Sequence, residues 1–182
     1  MSTEMVTVPT DVERTIVLRD GTPVELRAIR PDDAMALVAL FSRLSEQTIY
    51  QRFFTVRHSL PPTWVDNLTH VDYQRRLAIV AERSEPDGPR LIGVARYGVV
   101  EEEPEAAEIA LVVEDAWQGH GLGTTLLHAI MQAGEARGIR RFRVDVLAEN
   151  RRMLRLLSRE TEILSRAMSS GVAETVVRRR SA

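Results

Sequence analysis

The chain has 182 residues, the length of one compact domain, and its 44% apolar and 27% charged content is ordinary for a globular fold. It has no cysteine, which excludes disulfides, thiolate metal sites and a cysteinyl acyl-enzyme. The net charge is −2, with 24 basic residues that are all arginine, and no apolar run approaches the ~20 residues needed to span a bilayer.

From the N-terminus, Glu4 and Asp11 stand where a secretory signal would need a basic region, so a cytoplasmic protein is expected. Residues 1–14 are expected to be a poorly ordered segment ahead of a single domain at 15–182. Leu18–Val24 reads as a hairpin with an Asp20-Gly21 turn, within a hairpin region at 15–29. Helices are expected near 32–44 and 46–54, the first opened by Pro31 and the acids Asp32 and Asp33. A third helix follows Pro61-Pro62, and strands follow at about 76–83, 91–99 and 106–114. Pro86-Asp87-Gly88 marks a turn between the first two strands. The acids Glu101, Glu102, Glu103 and Glu105 read as a solvated loop tip. Later elements are a helix at 121–137 ended by Gly138, a strand at 141–147, a helix at 150–159, and strands at 162–168 and 172–178. His58, His70, His120 and His128 are scattered, so no metal site is expected.

The most informative stretch is Gln118-Gly119-His120-Gly121-Leu122-Gly123-Thr124, between the apolar strand Ile109–Val113 and a helix. Glycines two apart let backbone N–H groups converge with no Cβ in the way. The helix start adds unpaired N–H groups and the positive end of its dipole, so the junction suits a phosphate. A Walker loop would need Gly-Lys-Ser/Thr, but Thr124 follows Gly123. A dinucleotide fingerprint would need glycine at Leu126 and an acid about 20 residues on, where Arg140 and Arg141 stand. What remains is Gln-x-x-Gly-x-Gly at a strand-to-helix junction.

That loop resembles the pyrophosphate loop of the GNAT superfamily, the acyl-CoA-dependent N-acetyltransferases. The strand ending in Asn150-Arg151-Arg152-Met153 resembles a second GNAT signature. Asp20-Gly21, then Arg27-Ala28-Ile29-Arg30-Pro31-Asp32-Asp33, and then Leu44 to Phe54 look like the bacterial protein-lysine acetyltransferases of the Pat type. The likeness spans residues 15 to 158. It implies an α/β fold with a mixed, mostly antiparallel central sheet, helices on both faces, and a cofactor cleft where strands 106–114 and 141–147 splay.

Acetyl-CoA is the co-substrate that the resemblance implies. Gln118, Gly119, His120, Gly121, Leu122, Gly123 and Thr124 would hold its pyrophosphate. Backbone groups of Leu111, Val112 and Val113, with Asn150, would hold its pantetheine arm. Transfer to an amine needs the ammonium, of pKa near 10.4, to lose a proton. Glu108, which opens the strand before the loop, is the candidate base, with Glu105 and Glu103 behind it. A free backbone N–H at a strand bulge would steady the developing oxyanion.

The chain departs from the family pattern in two places. Leu157 stands where many GNAT enzymes have a tyrosine acid, and Ser158-Arg159-Glu160-Thr161 replaces Leu-Gly-Phe, which would shift the following strands and the acceptor pocket. The expected acceptor is a protein lysine, with a small-molecule amine and a non-catalytic acetyl-CoA-responsive module as alternatives. A homodimer stays open. Twelve arginines against five acids between Arg137 and Arg180 suit the phosphates of CoA. Without interleaved aromatics they argue against nucleic acid. The absence of lysine suits a lysine-modifying enzyme and equally the codon usage of a GC-rich genome.

Overall fold

The computed structural model describes residues 7–180. A single eight-stranded sheet runs in the order β1-β2-β3-β4-β5-β6-β8-β7. The hairpin β1 (Arg14–Val17) and β2 (Pro23–Ala28) turns at Asp20, whose carboxylate accepts the Thr22 N–H at 3.0 Å. Next come the helices α1 (Ala34–Ser42), α2 (Glu46–Phe53) and α3 (Pro62–Thr69), then the antiparallel strands β3 (Arg76–Glu85), β4 (Gly88–Val100) and β5 (Glu103–Val113). Helix α4 (Leu122–Ala136) crosses over to β6 (Arg141–Leu147), which is parallel to β5. Helix α5 (Arg151–Glu160) leads into the hairpin β7 (Thr161–Ser169) and β8 (Val172–Arg179). No helix among the described residues is long and apolar enough to cross a membrane.

The pleat divides the core between the two faces of the sheet. Ala107, Ile109 and Val113 of β5 join Leu122, Leu126 and Ile130 of α4 and Leu157 of α5 in the larger cluster. On the opposite face Leu37 and Leu40 of α1 pack with Ala78, Val80 and Val94, and Val112 leans on that cluster. Side chains at the even positions of β5, Glu108 among them, therefore face α1–α3.

The mixed, mostly antiparallel sheet with helices on both faces is the architecture expected from the sequence. Two local expectations change. Residues 7–13 lie against the domain: Val12 is buried in the main core, Val8 packs on it, and Asp11 pairs with Arg137 at 3.1 Å. The remainder of the expected loose segment, residues 1–6, falls outside the described residues. Only Glu101 and Glu102 of the acidic run form a turn, because Glu103 and Glu105 lie in β5 and meet Arg143, Arg141 and Arg140 from across the splay side. Arginines distant in sequence neutralise what reads locally as a solvated tip. β7 and β8 stand where the sequence pattern put them, and α5 passes directly into β7, with the Thr161 hydroxyl donating to Leu157 O at 2.7 Å.

Candidate active site at the splay between two parallel strands

β5 and β6 pair only at Ala106–Arg141, Ala107–Phe142 and Glu108–Arg143, and then separate. Past Glu108 one edge of β5 is left without a strand. The Glu114 N–H donates to Ile92 O at 2.9 Å, which makes Gly93–Val113 a pair whose own N–H and C=O groups point away from β4. The register from Gly93–Val113 to Val99–Ala107 is unbroken, so Leu111 also turns its backbone groups into the cleft. Val112 does not; it faces Val94. Leu111 and Val113 thus turn backbone groups toward the cleft, with the Val113 carbonyl held by Gln118, and the Val112 backbone is spent on the sheet. The expected bulge is absent here as well, since the register shift of this strand pair lies at Val99/Val100. The free N–H groups come from the splay itself.

The cleft behind this edge has a volume of about 350 Å³. Its far end is the glycine loop. Gly119 and Gly121 adopt φ of +85° and +92°, where a side chain would be strained, and α4 begins at Leu122 with unpaired N–H groups. Gly119, Gly121, Gly123 and Thr124 all line the cavity. Leu122 sends its side chain into the core, leaving only its backbone N–H for a ligand. The His120 ring sits beside Asp20 at 3.6 Å and against Trp117, outside the cavity lining. Its carbonyl accepts the Arg19 N–H at 3.2 Å, tying the first hairpin to the loop. Gln118 fastens the loop: its Nε2 donates to Val113 O at 3.0 Å and its Oε1 accepts from Arg152 at 2.6 Å. Asn150 lines the cavity while its Oδ1 caps α5 by accepting the Met153 N–H at 3.1 Å.

Sequence reasoning tied the arginine-rich stretch from Arg137 to Arg180 to the phosphates of CoA but singled out none of its residues, and it missed Arg19. Arg19, Arg152, Arg155 and Arg159 line the cavity. Three of them lie on α5 at spacings of three and four, a helical face legible from Arg152 onward. The cradle therefore offers backbone N–H groups without Cβ obstruction, a helix N-terminus and guanidinium groups, which is the donor set a pyrophosphate requires.

Two sequence segments outside the cavity set its walls. Arg27 donates to Asp33 at 2.8 and 2.7 Å and to Glu82 at 3.1 and 2.6 Å, and Asp33 also accepts the Arg30 N–H. The Arg-x-x-Arg-Pro-x-Asp segment is thus a clamp between the hairpin, β3 and α1. Ser45 caps α2, and Asp115 accepts hydrogen bonds from the Ser45 hydroxyl and N–H and from Thr48. Burial opposes ionisation of Asp115, but these hydrogen bonds prevail and hold its carboxyl below the ordinary range. The latch places Thr48, Gln51 and Arg52 on the rim of the cleft.

On the α1–α3 side of the sheet a second, wider cavity of about 930 Å³ meets the first. The two share Arg52, Ile109, Ala110 and Asp145. Glu108 lines the second cavity at the last rung before the splay. Its carboxylate is exposed and forms no ion pair or hydrogen bond among the described residues, while its β6 neighbour Arg143 is engaged by Glu103. Opposite Glu108 on β4 is Gly98, where an added Cβ would meet nothing within 4 Å. Glu103 and Glu105, the alternative bases, lie at the far end of β5 in ion pairs. Leu157, at the position of the missing tyrosine, is fully buried.

Residues 45–160 match the acetyltransferase (GNAT) family. The chain belongs to that family. It is 32% identical over 136 residues to an acetyltransferase of Pseudomonas aeruginosa, covering 75% of this chain and 73% of the relative. It is 30% identical over 146 residues to the acetyltransferase Pat of Mycolicibacterium smegmatis, covering 79% of this chain and 42% of that longer protein. The crystal structure of the GNAT domain of S. lividans PAT superposes with a TM-score of 0.84 at 31% identity, covering 93% of this chain and 98% of that one. The chain is accordingly an acyltransferase whose acyl donor is acetyl-CoA.

Proposed function

We propose that the chain transfers the acetyl group of acetyl-CoA to a primary amine by direct attack, with Glu108 as the base and a protein lysine side chain as the acceptor. The observation that carries this reading is the position of Glu108. It is a carboxylate without a partner among the described residues, at the last rung of β5–β6, where the cofactor cleft and the wider cavity meet. Acetyl-CoA, when bound, supplies a thioester carbonyl open to attack. The glycine loop and the arginines of α5 would hold its pyrophosphate, and Leu111, Val113 and Asn150 its amide-bearing arm. An ammonium arriving at the second cavity is attracted by Glu108, with Asp145 and Glu174 nearby on the same wall. Glu108 takes its proton and leaves the lone pair free. The Leu111 N–H, unpaired at the splay, is placed to stabilise charge on the acyl oxygen. The leaving thiolate takes its proton from water, since the Leu157 position offers no acid.

The lysine acceptor rests on the resemblance to the Pat type and on an acceptor cavity wide enough for a polypeptide segment. Labelled acetyl-CoA should mark lysines of a cell lysate in preference to an amine library. Enzyme mixed with acetyl-CoA alone should keep its mass, because no cysteine or activated serine is available. Labelling confined to small amines would reassign the acceptor, and a stoichiometric acetyl adduct would contradict direct attack.

A further inference from the structure

The acceptor cavity has a second pole that a plain alkyl amine leaves unused. Arg96 of β4 and Arg52 of α2 both line it. Among the described residues neither forms an ion pair. Arg52 has only the face of the Phe53 ring at 4.9 Å, and Arg96 gives one hydrogen bond, to Leu68 O at 3.3 Å. Register places Arg96 opposite Ala110, two residues from Gly98, so it is a diagonal neighbour of Glu108 on the same face of the sheet. Burial, then the adjacent charges of Arg52 and Arg76, push Arg96 down to about 9, and burial alone pushes Arg52 down to about 10. Both remain cations at neutral pH. Two half-buried guanidinium groups lining one cavity, neither in an ion pair among the described residues, lose hydration without a compensating partner. An anion between them would relieve that cost and gain charge-assisted hydrogen bonds.

We infer that Arg52 and Arg96 form an anion subsite, so that the acceptor carries a carboxylate beside the amine that Glu108 deprotonates. This inference rests on the acetyl-transfer reading of the same cavity and adds the acceptor's chemical class. Of the charges lining the cavity, Arg143 is paired with Glu103, Arg166 gives a hydrogen bond to Thr175 and Arg76 one to His70 O, which leaves Glu108, Asp145 and Glu174 to receive the ammonium and Arg52 and Arg96 to receive the carboxylate. Such a carboxylate has two sources, a free amino acid or an acidic residue next to a lysine in a polypeptide.

The test compares acceptors of one carbon skeleton that differ in the anion, with rates referred to the concentration of neutral amine: L-leucine against L-leucinamide, and a peptide containing Lys-Glu against its Lys-Gln counterpart. The wild-type enzyme should favour the acid by about tenfold or more in kcat/KM in one of these arms. Arg96→Gln should bring the ratio close to one with acetyl-CoA affinity unchanged, because Arg96 does not line the cofactor cleft. Arg96→Lys, which keeps the charge, should retain part of the preference. Preference in the amino-acid arm assigns a small acceptor, and preference in the peptide arm alone assigns a lysine beside an acid. Calorimetric binding of N-acetyl-L-leucine and its amide, and of the two acetylated peptides, to the CoA-saturated enzyme reads the subsite without turnover. A failure of the transfer reading would therefore leave this result standing. Equal binding and equal rates of acid and neutral partner in both arms, or a preference untouched by Arg96→Gln, would overturn the inference.

Discussion

On the α4 side of the splay, several of the groups that face the cavity are backbone. They are the strand-free edge of Leu111 and Val113, the glycine loop and the first turn of α4, ringed by arginines. On the α1–α3 side they are side chains from separate elements: Arg52 from α2, Arg96 from β4, Glu108 from β5, Asp145 from β6 and Glu174 from β8. A backbone site needs local conformations and an absence of Cβ atoms, so a glycine replacement should end its function outright. A side-chain site is assembled by strand register and should lose function one contact at a time.

Gly123→Val should have the largest effect. Gly123 is helical with ordinary φ, and an added Cβ would meet only Leu156 at 3.9 Å, so the helix should tolerate the change while the cradle fills. Calorimetry should detect no acetyl-CoA binding, with circular dichroism unchanged. Retained affinity would move the pyrophosphate elsewhere. Gly98→Val is the matching change on the acceptor side. It enters open space opposite Glu108, so thermal stability should hold, while the acceptor's KM should rise by about tenfold and acetyl-CoA affinity stay constant. An unchanged KM would show that the acceptor does not pass over Gly98.

The same contrast explains what the sequence disclosed. The glycine loop, the capping asparagine and every strand and helix were legible, because glycine spacing, caps and apolar periodicity act over a few residues. The place of Glu108 on the strand before the loop was legible too. Arg52, Arg96 and Gly98 were not, because their meeting depends on the register of β4 against β5 and on the Asp115 latch that seats α2. The backbone of Val112 is turned to β4 for a related reason. Which alternate residues of a strand turn their amides outward is fixed by pairing, and Glu114 N–H to Ile92 O settles it.

Leu157→Tyr sharpens the point about the missing acid. Leu157 is fully buried in the main core, so a tyrosine there overpacks it and should cost about 1–3 kcal/mol without raising turnover. A faster variant with an altered pH profile would show that the position can serve the leaving thiolate. The smallest effect should be on acid stability. The Asp115 carboxyl is held below its ordinary 3.8, so the unfolded chain binds the proton first. The latch contributes fully above that range, and its contribution is lost as pH falls through the folded value. Asp115→Asn should flatten the fall of Tm below about pH 4, and an unaltered slope would mean that other carboxylates govern it.

The division between a cofactor half and an acceptor half is tested most directly at Glu108. Glu108→Gln keeps size and polarity but cannot take the proton, so kcat/KM for the amine at neutral pH should fall by about 10²-fold or more. Acetyl-CoA affinity, measured on the same preparation, should stay constant, and the deficit should shrink as pH rises and more of the amine is already neutral. Wild-type turnover in Glu108→Gln at neutral pH, or a parallel loss of acetyl-CoA binding, would contradict the account.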